Sequence, residues 1–409
     1  MKPAALLKFF PVFIRCFGRL PVKHLLYMAK VLKWENPHYH NGKYYINTFF
    51  PPYPSKAFDR FLSAVIERKR IPYSTYFAVT DKCPFKCPHC SYGLRQKGAM
   101  DTRAALDTIR QIKSLGTITI GFTGGEPLLR DDIVELVNSA GDDTASILFT
   151  TGYRLDKELA AKLQNANLGC LMIGIESDNA EVHDNIRGVK GSFQQAVKAI
   201  ELSIEAGLYT AISTVATKDK IRNGSIRRLA ELADKSGVHE FRILEPIPTG
   251  SIFGHTDEIL TEDEAKGLAD FHKQWNCRNR GPAISSFSHL ESDEMFGCGA
   301  GFHHLFVDAI GNVCPCDLTP LSFGNLSAEP LADIWQRMEQ FFGLPRCGCF
   351  MKEICPQLCN SSKQILPFDT NKSLELCKSR RNDGKLPGIY QNLFKGRTPI
   401  SPSSTPKRL

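Results

Sequence analysis

Cys83, Cys87 and Cys90 stand in the stretch Thr80-Asp81-Lys82-Cys83-Pro84-Phe85-Lys86-Cys87-Pro88-His89-Cys90. Thiolates this close in sequence can turn toward one point, and soft ligands of this kind suit iron and zinc. Three is one ligand fewer than a closed zinc site or a plain electron-transfer cluster takes. A [4Fe-4S] cluster on three thiolates leaves one iron open to a small molecule. The plainer alternatives are a structural zinc site or three buried thiols.

Further polar patterns follow at regular intervals. Gly124-Gly125-Glu126-Pro127 comes after the apolar run 118–123, and glycines let a backbone approach a ligand closely. Thr150-Thr151-Gly152 ends a third run, and Gly174-Ile175-Glu176-Ser177 ends a fourth. Asp184, Arg187 and Gly188 come next. With the cysteine spacing of three residues and then two, the set resembles the radical S-adenosylmethionine (radical SAM) superfamily. The resemblance implies that the open iron chelates the methionine end of S-adenosylmethionine. The cluster's electron then cleaves the sulfonium to a 5′-deoxyadenosyl radical. It also implies that His89 packs on adenine and that Gly124, Gly125, Glu126 and Pro127 bind the methionine amino group. Thr151, Glu176 and Ser177 would supply polar contacts, the last two to the ribose. Arg187 would pair with the methionine carboxylate, a task suited to guanidinium. Ser213 and Thr214 are weaker candidates for the same pocket. The family more often carries Ser-Leu-Asp where this chain has Ile-Glu-Ser.

Eight of the fourteen cysteines lie near the C-terminal end: Cys298, Cys314, Cys316, Cys347, Cys349, Cys355, Cys359 and Cys377. Eight thiolates could build two four-thiolate zinc sites. Their order resembles the seven-cysteine SPASM extension of radical SAM enzymes, which binds two auxiliary [4Fe-4S] clusters. The resemblance assigns Cys298, Cys316 and Cys359 to the first cluster. It assigns Cys347, Cys349, Cys355 and Cys377 to the second. Cys314 is extra, and either completes the first cluster or stays free. The pattern's tight block normally opens with two residues between its first two cysteines, whereas here Gly348 stands alone between Cys347 and Cys349. Cys16, Cys170 and Cys277 read as ordinary thiols.

The elements that must carry these residues are legible from residue 76 onward. Runs at 76–80, 118–123, 146–151, 171–176, 210–216 and 241–245 are strand-length and mostly β-branched or aromatic. Amphipathic patterns at 102–115, 131–140, 155–166, 192–206 and 225–236 alternate with them. Six strand–helix units predict an α/β fold, a partial (β/α)6 TIM-like barrel, followed by a cysteine-rich iron–sulfur domain. The marked residues fall at the C-terminal ends of strands, where such barrels place their chemistry. The expected divisions are an extension and connector at 1–75, the core barrel at 76–250 and a linker with a helix at 251–297. A SPASM-like domain at 298–380 and a basic tail at 381–409 complete the chain. Thr261-Glu262-Asp263-Glu264 reads as a helix start.

The net charge of +8 is concentrated at the ends. Residues 1–34 hold seven Lys/Arg and no acid, and residues 379–409 hold seven Lys/Arg and one acid. The body between is mildly acidic, which argues against a nucleic-acid groove through it. Metal-spaced cysteines in a chain of this size imply a reducing cytoplasm. No apolar run is long enough to span a bilayer. The basic, apolar residues 1–34 could still lie on the inner face of an anionic membrane, or pack on the barrel. The resemblance implies hydrogen abstraction from an unactivated carbon of a peptide, a protein or a cofactor precursor, with a flavodoxin- or ferredoxin-type reductant. Two alternatives stay open: the same chemistry on a lipid-like substrate at the membrane, and a non-enzymatic iron–sulfur carrier.

Overall fold

The computed structural model describes residues 9–358, 365–378, 384–395 and 399–400. A small hairpin, β1 (His38–His40) with β2 (Lys43–Tyr45), precedes the main sheet. The main sheet contains β3 (Ser74–Thr80), β4 (Thr119–Gly124), β5 (Ala145–Thr150), β6 (Cys170–Gly174), β7 (Thr210–Val215) and β8 (Glu240–Leu244). These are the six expected strands, all parallel and in chain order. Three more extend the sheet: β9 (Ala283–Ser286), β10 (His304–Val307) and β11 (Val313–Cys314). The order is β11-β10-β3-β4-β5-β6-β7-β8-β9. β9 continues the sheet in parallel beyond β8, and β10 pairs in parallel with β3. The sheet is therefore an open, partial barrel whose two edges lie beyond the six core strands. Its first edge belongs to the cysteine-rich domain.

Both faces of the sheet are covered, as expected for parallel strands. Phe77, Phe122, Leu148, Leu171, Ile212 and Phe241 face the helices in the principal core. Those helices begin where local chemistry allows. Asp101 caps Thr102–Ser114, Asp156 caps Lys157–Asn165, and Thr261 with Glu264 forms a capping box on Glu262–Asn276. The opposite face carries Tyr76, Phe149 and Arg242. Gly121 lies between two of these, because a Cβ there would stand 2.4 Å from the Tyr76 ring and 2.9 Å from Phe149. The N-terminal ends of the strands are plugged by the segment after β2. Tyr45 stacks on Tyr209 with ring centroids 4.0 Å apart, and Thr48 binds Glu240 through its N–H (2.9 Å) and hydroxyl (2.5 Å). That leaves the C-terminal ends open.

The stretch 1–75 is more regular than a connector. It contains helices Phe10–Cys16, Val22–Leu32 and Lys56–Glu67, the last capped by Ser55. Residues 251–297 carry β9 as well as the helix after Thr261. The range 381–409, expected to be a basic, disordered tail, instead carries helix Gly388–Leu393, whose Ile389, Tyr390 and Leu393 are buried because their apolar side chains fill the core beside Phe302; residues beyond Ile400 lie outside the described residues.

Arg70 joins this N-terminal layer to the cysteine-rich domain. It is fully buried, with its guanidinium 3.9 Å from the Trp335 ring centroid. Its donors reach the carbonyls of Phe342 (3.2 Å), Trp335 (3.2 Å) and Gly301 (2.6 Å). Phe342 is the last residue of helix Leu331–Phe342, where a cation also meets the negative end of the helix dipole, and Trp335 lies in the middle of the same helix. Arg70→Leu orphans three buried acceptors and is expected to cost about 3–5 kcal/mol. Chemical denaturation checks this, and a loss below about 1 kcal/mol would show that the clamp does not hold the layers together.

Candidate active site

The cysteine loop leaves β3 at Thr80 and is held from both sides by backbone. Gly125 N–H donates to the Thr80 carbonyl and Glu126 N–H donates to the Lys82 carbonyl, both at 2.7 Å. A Cβ on Gly124 would stand 2.3 Å from the Thr80 oxygen, and one on Gly125 2.1 Å from the Lys82 oxygen. Only glycines let the end of β4 come this close to the loop. On the far side, Lys86 N–H donates to the Arg187 carbonyl at 3.0 Å, and Ser251 N–H donates to the Cys90 carbonyl at 2.9 Å. The loop is thus fixed by main chain while its side chains remain available. Cys83 is exposed, Cys87 and Cys90 are half-buried, and none is in a disulfide. The protein packed around its sulfur desolvates the Cys83 thiol, although the residue as a whole is exposed, and pushes it up to about 11; the nearby Cys90 and Cys87 push the same way, so the three thiols share one region.

Glu126 is fully buried, and its two oxygens meet four donors. Oε1 accepts from Thr150 Oγ1 (2.6 Å) and Leu128 N–H (3.1 Å). Oε2 accepts from Thr151 Oγ1 (2.5 Å) and Thr151 N–H (2.8 Å). Burial raises its carboxyl above the ordinary value even though these hydrogen bonds oppose the shift. The carboxylate expected to meet the methionine amino group therefore ties β4 to β5. Pro127 starts a short turn, Pro127–Leu129, beneath it.

Glu176 anchors a second group. Oε1 lies 3.1 Å from both His89 Nε2 and Arg187 Nη2, while Oε2 meets Lys220 Nζ at 2.5 Å and Thr214 Oγ1 at 3.2 Å. Burial alone would raise this carboxyl, but Lys220, His89 and Arg187 outweigh it and hold it well below the usual range. Its acceptor positions are filled by the chain itself, in contrast to the expected ribose contact. The Ser177 hydroxyl likewise accepts from Asn179 N–H at 3.1 Å. Arg187 spans the two groups, with Nη1 3.3 Å from Cys87 Sγ. Its Nε is buried with no partner among the described residues, a donor left for a ligand. Gly174 makes room for it, because a Cβ there would lie 2.4 Å from Arg187 Nη2. Asp184 is spent on structure: it accepts from Gly191 N–H, Ser192 Oγ and Phe193 N–H at 2.6–2.8 Å.

In the structure Cys349 lies beside Cys298 and Cys316, whereas the resemblance groups it with Cys347, Cys355 and Cys377. Cys349 hydrogen-bonds Cys298, and Cys316 lies close enough to act on both electrostatically. The reason is the short Cys347-Gly348-Cys349 step. The Cys298 N–H donates to the Arg346 carbonyl (2.9 Å), and the chain then turns at Gly348, whose φ is +69°, bringing Cys349 to Cys298. Cys347 is half-buried, and Cys355 and Cys377 are buried in the principal core. Cys359 lies outside the described residues. Cys314 points elsewhere, with Arg95 Nη1 3.7 Å from its sulfur, and it packs with Ala78 and Phe306.

Residues that the sequence did not mark complete the site. Lys220 comes from the short helix Lys218–Arg222 after β7 and supplies the closest charge to Glu176. Its only sequence signal is a lysine following a strand end. Glu291 follows β9 and lies near enough to Cys349, Glu245, Asp317 and Lys352 for their charges to act on it. The chain packed around it desolvates the carboxyl, although the residue as a whole is exposed. That desolvation raises the Glu291 carboxyl well above the usual range, with Cys349, Glu245 and Asp317 adding to the effect. Glu245 accepts from Ser288 Oγ (2.5 Å) and pairs with Lys352. Asp317 Oδ1 lies 3.1 Å from His304 Nε2 and 3.4 Å from Cys316 Sγ.

The comparisons agree with this geometry. Residues 77–223 match the radical SAM superfamily, and residues 298–361 match SPASM, an iron–sulfur cluster-binding domain. The chain is 31% identical over 327 residues to the mycofactocin maturase MftC of Mycolicibacterium smegmatis, covering 73% of this chain and 81% of that one. It is 28% identical over 324 residues to an AdoMet-dependent heme synthase of Methanosarcina barkeri, covering 71% and 92%. The fold matches the S-adenosylmethionine-bound structure of anSMEcpe with a TM-score of 0.54 at 16% identity, over 79% of this chain and 98% of that one. The chain belongs to the radical SAM superfamily of S-adenosylmethionine-dependent iron–sulfur enzymes and carries a SPASM domain.

Proposed function

We propose that this enzyme abstracts hydrogen from an unactivated carbon of a peptide or cofactor precursor and that its auxiliary clusters carry the electrons away. The observation that carries the reading is the convergence at one end of the sheet. The three-thiol loop, the Glu126–Thr151 pair and the Glu176–Arg187–His89–Lys220 group all meet there. The residues fit a three-thiolate cluster, because the thiols are gathered and accessible and a buried guanidinium nitrogen beside them lacks a partner among the described residues. Cys83, Cys87 and Cys90 would hold that cluster, and Cys298, Cys316 and Cys349 would contribute to an auxiliary one. When bound, cluster and S-adenosylmethionine supply the 5′-deoxyadenosyl radical.

The chain's own groups do the positioning. Gly125 and Glu126 hold the loop through their N–H groups, and the Glu126 carboxylate fixes the backbone of Thr151. Arg187 offers Nε to a carboxylate, steadied by Glu176 on one side and Cys87 on the other. His89 is held by Glu176 and presents its ring beside Cys90. Relatives named as a maturase and a heme synthase support a ready-made precursor as the substrate. An electron carrier would have no use for the Arg187 pocket.

Anaerobic reconstitution tests the reading. With dithionite and S-adenosylmethionine, the protein should hold about twelve irons, three four-iron clusters, and release 5′-deoxyadenosine. Zinc in place of iron, or clusters without cleavage, would defeat it.

A further inference from the structure

Helices Phe10–Cys16 and Val22–Leu32 form a hairpin with two unlike faces. The inner face buries Cys16, Leu20, Leu25 and Val31 against Ile389 and Leu393 in a core of its own. The outer face exposes Phe10, Phe13, Ile14, Phe17, Val22 and Leu26, with Phe17 66% and Leu26 65% accessible. Among the described residues, six of the eleven exposed large apolar side chains thus fall between positions 10 and 26. Scattered exposure is ordinary, but a contiguous patch marks a contact surface. Arg19, Lys23 and Lys30 are exposed on the same hairpin, and residues 1–34 contain no acid. Arg15 is paired at the surface with Asp59 of helix Lys56–Glu67.

We propose that this face seats the enzyme on an anionic lipid surface. Apolar and aromatic side chains ringed by lysine and arginine, on helices too short to cross a bilayer, fit the interface between headgroups and acyl chains. The charge speaks against a second copy of the chain, because a two-fold contact would set one acid-free basic surface on another. The second helix is also tied to the stretch that leads into Cys298. Tyr27 Oη donates to the Glu294 carbonyl at 2.6 Å, on the stretch between Glu291 and Cys298. Seating these helices on a membrane therefore holds the stretch before Cys298 next to the bilayer. The inference concerns this surface and stands whatever the substrate is.

Sedimentation of the full, reconstituted chain with vesicles tests it. Vesicles of equal phosphatidylglycerol and phosphatidylcholine should bind the protein, phosphatidylcholine alone should bind far less, and about 0.5 M salt should release it. The pair Phe13→Ser and Phe17→Ser should weaken binding by more than about tenfold. Lys23→Gln and Lys30→Gln should each weaken it about fivefold. Iron content and 5′-deoxyadenosine formation should stay at the parent level in all of them, separating a lost surface from a lost fold. Equal binding by the serine pair, or equal binding to neutral and anionic vesicles, would overturn the proposal. So would a concentration-dependent dimer that the serine pair dissolves while no vesicle binding is seen.

Discussion

Replacing Cys83, Cys87 and Cys90 together by alanine should remove about four irons per chain, one cluster's worth. It should also abolish 5′-deoxyadenosine formation, a fall of at least about a thousandfold. The structure makes the experiment clean. The loop is fixed through main-chain groups, namely the Thr80, Lys82, Cys90 and Arg187 carbonyls and the N–H groups of Gly125, Glu126, Ser251 and Lys86. None of these bonds uses a thiol. Cys83 is exposed and packs little, so alanine there leaves no cavity. Alanine at position 87 takes the sulfur away from Arg187 Nη1, but the guanidinium still has Glu176 to hold it. Cys298, Cys316 and Cys349 belong to another part of the fold and should keep their iron. Iron counting and the 5′-deoxyadenosine assay check this on one preparation, with thermal unfolding as the control. Cleavage that persists would show that the loop does not hold the radical cluster. Loss of nearly all iron would mean that the loop supports the whole fold.

The sequence carried the parallel sheet because strands buried on both faces must be rich in apolar and β-branched residues, and the six runs from residue 76 mostly are. β9, β10 and β11 were missed for a physical reason. They have four, four and two residues, contain serine, histidine and cysteine, and are strands only because β8 and β3 offer edges to pair with. Helix Lys56–Glu67 was hidden by the prolines and aromatics around it, which the fold uses as a plug. The site was legible where chemistry needs fixed spacing, as in the three cysteines, or close backbone approach, as in Gly124 and Gly125. It was illegible where a long side chain arrives from a distant element. Lys220, Glu291 and Lys352 have no local pattern, and only the fold brings them to their partners. Glu126 and Glu176 were found but assigned outward roles. Their acceptor positions are filled by threonines and cations that no motif announces.

That inward use of Glu176 has a measurable consequence. Glu176→Gln keeps the shape but removes the anion between Lys220, Arg187 and His89. Lys220 is 6% exposed and Arg187 9%, so each would face a neutral amide with little water to replace the lost charge. Breaking a buried pair from one side costs about 3–5 kcal/mol, and a drop of that size in unfolding free energy is expected. The pH dependence fixes the cause. The folded carboxyl is held well below its ordinary 4.5, so its contribution is complete above the unfolded value and is lost as pH falls toward the folded one. Wild-type stability should therefore decline below about pH 4.5 more steeply than that of Glu176→Gln. The rescue is more telling. Adding Lys220→Met to Glu176→Gln removes the stranded ammonium and should restore about half of the lost stability, because the desolvated charge, not the missing hydrogen bond, dominates the cost. Cleavage of S-adenosylmethionine should not return with it, since Arg187 and His89 still lack the carboxylate that aims them. If the double variant is no more stable than the single one, the Lys220 pair is not what holds this corner. If it regains both stability and cleavage, Glu176 serves only to neutralise Lys220, and the positioning role assigned to it fails.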